Sequence, residues 1–104
     1  MSTEILIIDD NSDIRLIIDE LIKEAGYKTR LAANFNQALS EIDKKLPDVA
    51  IIDVKLDKGD NDGIQLLDHL KKKNPDIPVI MISGHANIEM AIKSLKSGAF
   101  EFIQ

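Results

Sequence analysis

The stretch Val49-Ala50-Ile51-Ile52-Asp53-Val54 constrains this chain more than any other. It is an unbroken apolar run rich in β-branched residues, with Val49 and Ile51 on one side of a strand and Ala50 and Ile52 on the other. A strand that is apolar on both sides has to be covered on both faces, which places it in the middle of a layered α/β domain. Asp53 then has only the C-terminal end of the strand as its route to solvent, and in open α/β sheets that end is where ligands bind. Taken alone, Asp53 also fits an ordinary strand terminus, because Asp is favoured beside turns.

A second run, Glu4-Ile5-Leu6-Ile7-Ile8, ends on acid in the same way, at Asp9-Asp10. Two inner strands of this kind deliver three carboxylates to one sheet edge. A competing use for the first pair is helix capping: Asp10, Asn11, Ser12 and Asp13 can all accept from the free N–H groups of a helix that starts near Ile14. One cap serves one helix, however, which leaves acid to spare. If the strands are neighbours, like charges a few ångströms apart cost roughly 4 kcal/mol per pair at an effective dielectric near 20. Either a cation or a raised pKa is then required, and a hard divalent ion is the simpler of the two.

The remaining segments alternate in the same style. Ile14, Ile17, Ile18, Leu21, Ile22 and Ala25 recur at helical spacing between Asp13 and Ala25, and Gly26 follows as a stop. Tyr27 to Ala32 has the half-polar alternation of an edge strand. Asn34 or Asn36 can cap a second helix carrying Phe35, Ala38, Leu39 and Ile42, which ends before Pro47. Lys55 to Gly63 is a turn-rich loop. It is not a calcium loop of EF-hand type, since with Gly63 central the first and last ligand positions would fall on Lys58 and His69. A third helix is predicted from about Ile64 to Lys73, with Ile64, Leu67 and Leu70 inward and three lysines at its C-terminal end, where cations suit the dipole. Pro78 to Ile82 is a fourth apolar strand, ending on Ser83-Gly84-His85. A fourth helix follows, capped by Asn87 and closed by Gly98, and Ala99 to Ile103 forms a fifth strand. Strands alternating with helices and no hairpin signal predict a parallel sheet with right-handed crossovers.

Composition narrows the function. At 104 residues, 44% hydrophobic and 30% charged, the chain is one domain with one functional module. There is no cysteine, and two histidines cannot make a zinc site without help from carboxylates. A net charge of −5 with no basic stripe opposes nucleic-acid binding through this domain. No apolar run approaches the ~20 residues of a membrane span, and no leader pattern is present, so a cytoplasmic setting is expected. Gly-rich phosphate cradles of the G-x-G-x-x-G and G-x-x-x-x-G-K-[ST] types are absent.

With Asp9-Asp10 after the first strand, Asp53 after the third, Ser83 after the fourth and Phe102 in the fifth, the whole chain resembles the receiver domain of two-component response regulators. The long loop to Asp62-Gly63 and the run from Met81 to Glu89 are similar to the nitrogen-regulation (NtrX-like) subfamily. The resemblance implies a flavodoxin-like, doubly wound five-stranded parallel sheet of order 2-1-3-4-5, in which strands one and three meet at the switch point. It also implies roles. Asp53 would be the phosphoacceptor, and Mg²⁺ would be held by Asp9, Asp10, Asp53 and the Lys55 backbone carbonyl. Ser83 would be the switch hydroxyl and Phe102 the switch aromatic. The partner would be a sensor histidine kinase, the output transcriptional, and the chain itself not an enzyme.

Two other classes compete. An aspartate-nucleophile phosphohydrolase shares Mg²⁺ and a strand-end Asp, but such enzymes carry D-x-D where this chain has Lys55. A receiver-like interaction module that is never phosphorylated would not need the intact acidic set. In the family a phosphate-contacting lysine and a fifth helix would follow Gln104, so the expectation for residues 1–104 is a receiver lacking its last helix. Such a receiver is expected to pair with a second copy through the face that helix would cover, around Ile5, Ile7, Phe100 and Phe102.

Overall fold

A computed structural model of the chain describes residues 3–53 and 62–82, together with the backbone of a strand at 101–103. The elements are β1 (Glu4–Ile8), α1 (Ser12–Glu24), β2 (Lys28–Ala32), α2 (Phe35–Lys44), β3 (Val49–Asp53), α3 (Asp62–Lys73), β4 (Val79–Ile82) and β5 (Glu101–Ile103). All pairings are parallel and the strand order is β2-β1-β3-β4-β5, the doubly wound, flavodoxin-like arrangement expected from the sequence. The strand that is apolar on both sides, β3, lies at the centre.

Its two sides divide the core. Ala50 and Ile52 join Leu6, Ile8, Val79 and Met81 under α2 and α3, which contribute Ala38, Ile42, Ile64, Leu66, Leu67 and Leu70. Ile51 joins Ile5 and Ile7 on the opposite face, where Ile18 and Ile22 of α1 pack against them. Ile5 and Ile7 are therefore buried within the chain itself, contrary to the expectation that they are left bare. Among the described residues the most exposed large apolar side chains are on α1, where Ile17 and Leu21 are 57% and 60% exposed. Of the other two, Phe100 lies outside the described residues and Phe102 is described by its backbone alone.

The element boundaries have local causes. Asn11 caps α1, its Oδ1 accepting from Asp13 N and Ile14 N at 3.0 and 3.1 Å. The helix closes at Gly26, whose φ of 95° suits a residue without Cβ. There Gly26 N donates to Lys23 O and Tyr27 N to Ile22 O, the two bonds of a Schellman ending. Asn34 rather than Asn36 caps α2, accepting from Gln37 N at 2.8 Å. Helix α3 begins two residues earlier than the apolar pattern indicated. Asp62 stands in its first turn, where a carboxylate suits the helix dipole, and Gly63 is already helical.

Candidate functional site

The parallel register between β1 and β3 sets Ile8 opposite Ile52, so the next residues, Asp9 and Asp53, leave the sheet side by side at its C-terminal edge. Asp10 is one peptide further along. Carboxylate oxygens of Asp9, Asp10 and Asp53 all lie within 4.8 Å of one another, and this is the one cluster of possible metal ligands among the described residues. Asp9 and Asp53 are 2% and 5% exposed. Asp10 is open to solvent. The site is thus two shielded carboxylates and one accessible carboxylate around a single point, a donor set of hard oxygens that fits Mg²⁺ or Ca²⁺ and not a soft metal.

The connection from β1 to α1 holds the first two acids in place. Asp9 N donates to Ala32 O at 3.2 Å, which continues the pairing with β2 past the end of β1. Asp9 Oδ1 accepts from Asn11 N at 2.9 Å. Because Asn11 takes the capping role, the carboxylate of Asp10 is left for the cluster. Arg15, the fourth residue of α1, reaches back so that its Nη1 donates to Asp9 O at 2.7 Å. Sequence reasoning passed over this arginine. The only signal was a cationic side chain one helical turn beyond the cap, on a helix that starts at an acidic strand end.

On the other side of β3, Asp53 is in register with Ile82 of β4, and Met81 with Phe102 of β5. Lys55, Ser83 and His85, with the loop 54–61 and the fourth helix predicted from Asn87, fall outside the described residues.

The chain matches the response regulator receiver domain over residues 5–104. It belongs to that family. It is 40% identical to the nitrogen assimilation regulatory protein NtrX of Azorhizobium caulinodans over 104 residues, all of this chain and 23% of that protein. Among solved structures, NtrX from Brucella abortus superposes with a TM-score of 0.87 at 40% identity, covering 99% of this chain and 24% of that one. A CheY-like receiver domain protein from Methanospirillum hungatei gives a TM-score of 0.91 at 30% identity, covering 99% of this chain and 81% of the other. The receiver therefore spans about a quarter of the length of its NtrX relatives. No helix among the described residues is long and apolar enough to cross a membrane.

Proposed function

We propose that this receiver accepts a phosphoryl group on Asp53 from a sensor histidine kinase in the cytoplasm and passes the change to a transcriptional output. The observation that carries the reading is the register that brings Asp9, Asp10 and Asp53 within 4.8 Å at the end of two inner strands. Mg²⁺ is the cation we assign to them, with the Lys55 backbone carbonyl as a further ligand; when bound it offsets charge on the phosphoryl oxygens and helps hold them in line with the acceptor. Asp53 supplies the nucleophile from a strand end that cannot swing away, which keeps its oxygen near attack distance. The new O–P bond forms as the N–P bond to the kinase histidine breaks; that electron pair returns to the ring nitrogen, and the imidazole leaves with the proton carried on its other nitrogen. The products are an aspartyl phosphate and a neutral histidine. The chain is in this sense a substrate of the kinase and not a turnover enzyme.

Ser83 is the residue we assign to follow the phosphoryl group. It comes directly after Ile82, the register partner of Asp53. Its hydroxyl can donate to a phosphate oxygen, and Phe102, on the next strand over, is the aromatic that would move with it. A second copy of the chain is a further partner, paired through the exposed side of α1.

Incubation with Mg²⁺ and a small phosphodonor or beryllofluoride, read by intact mass and amide NMR, tests the assignment. Wild-type chain should gain one phosphoryl group and Asp53→Asn none, because an amide cannot form the acyl phosphate. Asp10→Asn should lose most Mg²⁺ binding. Label on Asp57 or Asp60, or unchanged Mg²⁺ affinity in Asp10→Asn, overturns the assignment.

A further inference from the structure

The bonds that shape the β1–α1 connection come mostly from backbone N–H groups and from the short side chains of Asp9 and Asn11. Arg15 differs. It is a long, flexible side chain, half-buried, folded back from α1 onto the end of β1 with Nη1 2.7 Å from Asp9 O. Ordering such a side chain costs rotamer entropy, so a fixed arginine needs a return. A guanidinium bonded to the backbone of Asp9, a member of the three-carboxylate cluster, suggests simple neutralisation. The bond, however, is to the carbonyl of Asp9, an atom of the peptide plane that joins Asp9 to Asp10. Fixing that plane fixes ψ of Asp9 and φ of Asp10, and with them the angle between the two carboxylates.

We infer that Arg15 is a positioning residue for the divalent cation: it holds the Asp9–Asp10 peptide plane so that both carboxylates converge with that of Asp53 on one point. This rests on the phosphoacceptor reading above. The two possible roles of the arginine predict opposite signs. A nearby positive charge by itself repels Mg²⁺, so deleting it would strengthen cation binding. A positioning arginine preorganises the ligands, so deleting it weakens binding, because the cation then has to order the loop itself.

The test is a Mg²⁺ titration of wild type, Arg15→Ala and Arg15→Lys, followed by amide NMR, with hydrogen exchange of the metal-free proteins alongside. Arg15→Ala should bind Mg²⁺ about tenfold more weakly, the low end of what losing an outer partner of a metal ligand costs. Exchange at the Asn11 amide, which donates to Asp9 Oδ1, should speed up before any metal is added. Arg15→Lys keeps a cationic donor able to reach a carbonyl and should recover most of the affinity. Equal or tighter Mg²⁺ binding in Arg15→Ala overturns the inference, as does a folded Arg15→Lys that binds no better than Arg15→Ala. If wild type takes up no Mg²⁺, the phosphoacceptor reading falls and this inference with it. If wild type binds and the variants bind equally, only the inference falls.

Discussion

On the face of the sheet covered by α2 and α3, Leu6, Ile8, Ile52, Leu67, Leu70 and Met81 are completely enclosed, and Phe35, Leu39 and Leu46 seal the margin. On the face covered by α1, Ile5, Ile7 and Ile51 are the buried apolar residues among those described, and of these Ile7 alone is completely enclosed. Beside them runs an open apolar groove of about 300 Å³ lined by Ile14, Ile18, Ile51, Ile80 and Ile82. The difference is geometric more than compositional. Five strands at about 4.8 Å spacing present roughly 20 Å of sheet, whereas one helix with its side chains is about 10 Å wide. Among the described residues, two helices fill one face and a single helix leaves half of the other open. Both faces meet at the acidic edge, so Asp53 is held from one side by a closed core and from the other by a core with slack.

The largest effect that sharpens this contrast comes from the closed side. Leu67→Ala removes a fully enclosed side chain from between α3 and the sheet, and should cost about 2–5 kcal/mol in chemical unfolding. A cost under ~1 kcal/mol would mean that this core relaxes as freely as the open one.

Much of this was legible beforehand, and the failures have identifiable causes. Apolar runs located the inner strands, because a strand buried on both faces leaves a signal that needs no periodicity. That the two acid-tipped strands are neighbours was not legible in the runs themselves; the strand order implied by the family resemblance brought Asp9, Asp10 and Asp53 together without any knowledge of side-chain geometry. Which of Asp10, Asn11, Ser12 and Asp13 caps α1 was not legible, since a cap depends on the backbone angles of one residue. Arg15 was missed because its role lies in a rotamer. The α1 stripe misled in another way. Ile14, Ile17 and Leu21 keep helical spacing with Ile18 and Ile22, but spacing says which side of a helix is apolar, not how much sheet is available to cover it.

Asp19 gives the next effect down. It is a buried acid on α1, 7% exposed, between Ile18 and Glu20. The hydroxyl of Thr29 on β2 donates to Asp19 Oδ1, and Lys23 lies 3.2 Å from Oδ2. The Thr29 bond first, and Lys23 after it, hold the carboxyl below its usual range despite burial. A folded-state pKa below the unfolded one means stabilisation that is present above the ordinary carboxylate range and lost as pH falls through the lowered value. Asp19→Ala should therefore cost about 1–3 kcal/mol at neutral pH, the range for a hydrogen bond to a charged group. The gap from wild type should close as the solution is acidified through and below the carboxylate range. A gap that does not change with pH would show that α1 is held to β2 by packing alone.

The smallest effect on stability, and the most telling about the open face, is expected at Ile17. More than half of this side chain is already in water, so Ile17→Gln gives up little burial and should change unfolding free energy by no more than about 0.5 kcal/mol. Ile17 and Leu21 nonetheless stand one turn apart on the same exposed side of α1, with Ile14 leading from them into the groove. A contiguous apolar surface of this kind is what a second copy could cover, and apolar patches of several hundred Å² seldom stay bare on a monomer. Light scattering of the 104-residue chain at micromolar concentration should then report a mass above that of one copy. Ile17→Gln with Leu21→Gln should lower it while leaving cooperative unfolding intact. Leu67→Ala would do the reverse, weakening the fold without a direct effect on the pairing surface. If wild type is instead a compact monomer that loses no stability on dilution, then a half-covered face is tolerated, and the slack beside Asp53 belongs to the single chain.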